Sequence, residues 1–76
     1  MIQPAPGKER YQVLMDHGLP GRFEFEADFA KVTEAIEHAG HLHAKYRYAD
    51  IVVLDAQAGT LSLTLQGKRT LLGTTI

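Results

Sequence analysis

Apolar and polar positions alternate with period two over Arg10–Asp16. Tyr11, Val13 and Met15 fall on one face, Gln12 and Leu14 on the other. That period predicts a strand. Asp16-His17-Gly18-Leu19-Pro20-Gly21 is dense in turn formers and ends it. Arg22–Glu26 alternates again, with Phe23 and Phe25 inward. The two runs together predict a hairpin with a long loop.

The period then changes. Asp28 is placed to act as an N-cap, its carboxylate accepting from free N–H groups of a first turn. Phe29, Val32, Ile36 and Ala39 recur at helical spacing, and Gly40 stands where a left-handed C′ residue is wanted. These positions predict a helix over 29–39 with one apolar face, lying on a sheet. Glu34 and His38 form an i,i+4 pair, and His38 in the last turn suits the negative end of the helix dipole.

From Ala44 the pattern turns to β. Tyr46–Leu54 is rich in β-branched and aromatic residues and predicts a long strand. Asp55-Ala56-Gln57-Ala58-Gly59 is a turn. Leu61, Leu63 and Leu65 alternate with Ser62, Thr64 and Gln66, the clearest strand of the chain. Gly67-Lys68 suits a two-residue turn into a last strand over 69–76. In that register Leu65 faces Thr70, Leu63 faces Leu72 and Leu61 faces Thr74. The expected fold is α+β in the order ββαβββ, with one helix packed on one face of an antiparallel or mixed sheet. Residues 1–8, with Pro4, Pro6 and Gly7, read as a loose arm, and residues 9–76 as one domain.

One helix covers one face. Yet Ala49, Ile51 and Val53 lie on one side of the long strand and Tyr46, Tyr48, Val52 and Leu54 largely on the other. A strand apolar on both sides is normally covered on both sides. The second cover is then expected to be another subunit. Length sharpens that expectation: a chain of 76 residues without Cys has neither a large core nor a covalent staple, which leaves oligomerisation.

Composition removes whole classes of chemistry. With no Cys there is no disulfide, zinc–thiolate site, iron–sulfur cluster or thiol nucleophile, and with no Asn no N-glycosylation sequon. The first seven residues lack the basic and apolar regions of a signal peptide, and the longest apolar run, Ile51–Leu54, is too short for a membrane span. A cytoplasmic protein with no membrane association is the expectation. The formal net charge of −1 hides an asymmetry: four bases and seven acids in residues 1–43, four bases and two acids in residues 44–76. A solvated helix face accounts for the acidic part; complementarity between protomers or with a partner is the alternative.

Candidate chemistry is sparse. His38, His41 and His43 lie close enough in sequence to share a divalent metal, with Glu34 or Glu37 as carboxylate partner. A helix break at Gly40 would keep His38 and His41 off one face, and a titrating cluster at the helix end is the plain reading. Lys45-Tyr46-Arg47-Tyr48, extended by Lys68 and Arg69, has the bases and aromatics of a nucleic-acid surface. Strand alternation would point charge and ring apart, and the net charge argues against a backbone-tracking surface. Gly67-Lys68-Arg69 is not a phosphate loop, because Ser62 stands where the first Gly belongs. Ser62 is the only Ser, mid-strand, with no turn to expose its hydroxyl. Glu24, Glu26 and Asp28 read as a polar face rather than as an acid–base pair.

The opening hairpin followed by a helix, and the length, are similar to the ubiquitin-like grasp in element order. The chain ends Gly73-Thr74-Thr75-Ile76 instead of in the Gly-Gly of the carriers, and its Tyr46–Ile76 meander departs from that pattern. The expected function is a small non-enzymatic interaction module without a cofactor. It self-associates, most simply as a homodimer, through the uncovered sheet face or a sheet edge, and binds a further protein partner. Tyr46, Tyr48, Val52, Leu54 and Leu71 are the expected anchors. The alternatives are a ligand- or metal-binding domain using His38–His43, and nucleic-acid binding through Lys45–Tyr48.

Overall fold

Two neighbouring strands, β1 (Tyr11–Asp16) and β3 (Asp50–Asp55), form the centre of the molecule. They pair antiparallel from Tyr11↔Asp55 to Asp16↔Asp50, and residues 12–16 and 51–55 are all buried. The structure, a computed structural model, describes residue 7 and residues 9–16, 23–67, 70–71 and 74–75. The outer strands are β2 (Phe23–Phe29), paired to β1, and β4 (Thr60–Leu65), paired to β3. Together they make a four-stranded antiparallel sheet of order β2-β1-β3-β4, crossed by the helix α1 (Val32–Lys45) between β2 and β3. This is the expected α+β fold.

Period two decides what each face buries. Val13, Met15, Ile51 and Val53 point to the helix and pack against Ala35, Ala39 and Ala49. Ala35 and Ala39 are fully buried, and their small side chains let α1 lie close to the sheet. Tyr11, Phe29, Leu42, Leu63 and Leu65 close the rim. Each large aliphatic side chain buried here stabilises the fold by roughly 1.5–3 kcal/mol. On the opposite face Leu14, Val52 and Leu54 are each only 2% exposed, with Phe23 packed on them. The second apolar face is therefore buried within the single chain, where the sequence led us to expect a subunit.

Three element boundaries depart from expectation. The helix runs over Val32–Lys45, not 29–39. Asp28 belongs to β2, opposite Gln12, and its Oδ2 accepts the Glu9 N–H at 2.8 Å; Lys31 takes the N-cap position without a side-chain cap. Gly40 does not end the helix. It faces open space, where glycine costs about 1 kcal/mol relative to alanine. The helix formers Leu42, Ala44 and Lys45 continue the pattern, and Leu42 extends the buried face of Ala35 and Ala39. That face is Val32, Ala35, Ala39 and Leu42; Ile36 is turned out, 40% exposed. Because α1 runs on to Lys45, Tyr46–Ala49 is a turn and not the start of a long strand. The Tyr46 N–H caps Leu42 O at 2.7 Å and the Ala49 N–H closes on Tyr46 O at 3.1 Å.

The end of the chain also differs. Thr70–Leu71 (β5) pairs with Thr74–Thr75 (β6) in a separate two-stranded sheet, instead of one last strand pairing back on β4. Gly67 supplies the reason. Its N–H donates to Asp50 Oδ1 at 2.7 Å, and its backbone lies so close to the Tyr48 carbonyl that a Cβ would overlap it and come 2.8 Å from Ala49 O. The chain leaving β4 is thus held against the start of β3 at Gly67. The expected loop residues 17–21 and the arm residues 1–6 and 8 lie outside the described residues.

At the other end of the central ladder Asp55 joins three segments. Arg10 Nε donates to Oδ1 at 2.9 Å and Nη2 to Oδ2 at 2.8 Å, a bidentate pair. The same Oδ1 accepts the N–H groups of Gln57 and Ala58, each at 3.1 Å, and Gly59 turns the chain with φ 72° into β4. Hydrogen bonding from Arg10 holds the Asp55 carboxyl down at about 2, from an ordinary 3.8; partial burial opposes this and the two N–H groups add to it.

Two predictions follow from these contacts. Gly67→Ala must displace the Tyr48–Ala49 backbone and should lower stability by about 1–3 kcal/mol in urea unfolding. A depressed carboxyl contributes stability above its unfolded pKa and loses it as pH falls through its folded value. The stability gap between the native chain and Asp55→Asn should therefore be full above about pH 4 and close towards pH 2. Denaturation midpoints across that range read it directly.

Candidate functional site

Continuation of α1 through Gly40 changes the histidine cluster. Glu34, Glu37, His38 and His41 stand at i, i+3, i+4 and i+7 and share one helix face. With Phe29 at the end of β2 they line an open cleft of about 260 Å³. The His38 ring packs on Phe29, ring centroids 5.3 Å apart and tilted by 50°. His43 lies elsewhere: its Nε2 is 2.8 Å from Gln66 O and donates to it, so that nitrogen carries a proton. His38, His41 and His43 are therefore not brought together. Among the described residues no three His, Asp or Glu side chains are grouped to hold a metal ion. The cleft combines an aromatic wall with two imidazoles and two carboxylates.

The second candidate, Lys45–Tyr48, is exposed as a whole. In the turn the alternation expected of a strand does not apply. Lys45 Nζ sits over the Tyr46 ring at 5.3 Å, so this charge and ring lie side by side. Tyr48 is 71% exposed. Lys68 and Arg69 lie outside the described residues. Four of the five expected interface anchors do not form one surface. Tyr46 and Tyr48 are on the turn, Val52 and Leu54 are buried in the sheet, and Leu71 is described only by its backbone pairing with Thr74.

A surface that the sequence reading passed over is the outer edge of β4. Its inner edge pairs with β3 as Ile51↔Leu65, Val52↔Thr64 and Val53↔Leu63. The register then skips Ser62, so Leu54 meets Leu61. Ser62 is the extra residue of a bulge. The sheet order leaves β4 as an edge, and neither β5 nor β6 belongs to this sheet. From Thr60 to Leu65 it carries no charge; Leu61 is 46% exposed and Thr64 is exposed. The opposite edge, β2, also bulges, at Glu26, and carries Glu24, Glu26 and Asp28. The expected last strand had covered β4. The uncharged stretch and Gly67 are the signals that would have uncovered it.

Comparison with known proteins finds no matching family model, no matching curated protein and no matching solved structure. Among the described residues no helix is long and apolar enough to cross a membrane.

Because Phe29 seats both the helix and the cleft, Phe29→Leu should remove the ring-current shift on the His38 proton resonances. It should also lower stability by about 1 kcal/mol, read by NMR and by urea unfolding.

Proposed function

We propose that this chain is a small non-enzymatic interaction module that self-associates by strand addition at a sheet edge. One observation carries the reading: the outer edge of β4 is uncharged, whereas the opposite edge of the sheet, β2, is acidic. An edge strand presents unpaired N–H and C=O groups, and charged side chains are a common device that keeps other chains off it. Glu24, Glu26 and Asp28 supply that device on β2. Thr60–Leu65 carries no charge, and beyond the Ser62 bulge it offers Leu63 and Leu65 on one face with Thr64 between them. Addition of an extended segment gives affinity through main-chain hydrogen bonds and specificity through alternate side chains. A further protein partner with an exposed strand would use the same edge.

A second reading, a ligand-binding surface, is favoured by the cleft that gathers His38, His41, Glu34 and Glu37, side chains that are not grouped as a metal site. Titration with a small aromatic cation such as benzamidinium, followed through the imidazole resonances of His38 and His41, tests it separately.

The mass in solution decides the main reading. Light scattering over a concentration series should show dimers forming as concentration rises, with melting temperature rising in parallel. Thr64→Lys places a charge on the open edge at an exposed position. It should weaken association at least tenfold, about 1.4 kcal/mol, with little effect on the fold. A strict monomer at every concentration would overturn the proposal.

A further inference from the structure

We infer that the occupant of the β4 edge is β4 of a second copy, paired antiparallel about a two-fold axis that sets Thr64 opposite the partner's Thr64. The inference rests on the self-association reading and adds to it the surface, the register and the symmetry.

Strand chemistry selects the register. Residues directly opposite in an antiparallel pair point to the same face. Leu63 and Leu65 face the helix side, as do their partners Val53 and Ile51, and both are half-buried at the rim of that core. With Thr64 on the axis, Leu63 meets the partner's Leu65 and Leu65 meets the partner's Leu63. The two helix-side cores then become continuous across the junction. Thr64 meets Thr64, a favourable cross-strand pair, and Ser62 meets Gln66, polar against polar and both exposed.

Neighbouring registers fail on the same grounds. A slip of one residue sets leucines against the exposed face. Centring on Leu63 sets Leu65 against Leu61, which the Ser62 bulge has turned to the other side of the sheet. Centring on Leu65 shortens the paired stretch to Thr64–Gln66, because Gly67 is held against Tyr48 and Ala49, whereas centring on Thr64 pairs Ser62–Gln66. Charge selects the edge: pairing β2 with itself would bring Glu24, Glu26 and Asp28 of both copies together. The product is an eight-stranded antiparallel sheet with a helix from each copy on the same face.

The lack of native Cys makes a clean test. Cross-strand neighbours have Cα atoms about 4.5–5.5 Å apart, within disulfide reach. Under mild oxidation Thr64→Cys should give a covalent dimer at least tenfold faster than Gln57→Cys, which sits on the exposed β3–β4 turn. Equal rates at the two positions would overturn the inference. If the native chain dimerises by light scattering while Thr64→Cys does not cross-link, the register is overturned and self-association stands. If the native chain is a monomer, both are overturned. Hydrogen exchange on the native chain gives a reading free of substitution: β4 amides should gain protection as concentration rises. Protection that does not change with concentration would overturn the inference.

Discussion

The pairing of β1 with β3 is the interaction on which the rest of this small structure depends. Residues 12–16 and 51–55 are buried throughout, and their side chains feed two apolar layers. One layer receives α1 through Ala35 and Ala39; the other holds Leu14, Val52 and Leu54 together. Each hairpin adds an outer strand to this pair. The ends of the ladder are held by polar contacts: Arg10 and the turn amides on Asp55 at one end, the Gly67 amide on Asp50 at the other.

Electrostatics gives the sheet two unlike edges. Five of the seven acids of residues 1–43 fall on β2 and on the exposed face of α1, while β4 lies in the stretch after Asp55 that contains no acid. The charge asymmetry along the chain thus becomes an asymmetry across the sheet. One edge is defended by like charge, and the other is left to shape and hydrogen bonding.

Period two in Tyr11–Met15 and in Leu61–Leu65, and the turn formers of Asp55–Gly59, made β1, β4 and the β3–β4 turn legible in the sequence. The helix was legible in kind but not in extent. Gly40 carries a strong local stop signal, and what overrides it is tertiary: the fit of Leu42 on the sheet beside Ala39. Asp28 has the chemistry of a cap, but a distant partner, the Glu9 amide, takes its carboxylate. That β3 is apolar on both faces was correctly read, whereas the chain's own ability to bury Val52 and Leu54 was not. The cleft at Phe29 and the open β4 edge were hidden for related reasons. Each depends on where a neighbouring element stops or turns, and that is settled by a long-range contact with no local signature.

Those long-range contacts also bear on how the molecule comes together. The β1–β2 and β3–β4 hairpins close locally, but the ladder between them joins residues far apart; Arg10 and Asp55 are separated by 45 positions. Closing that span loses chain entropy before the burial of Val13, Ile51 and Val53 compensates for it. The β1–β3 ladder is thus the pairing that closes the longest stretch of chain in the sheet, and α1 lies within the segment that it closes.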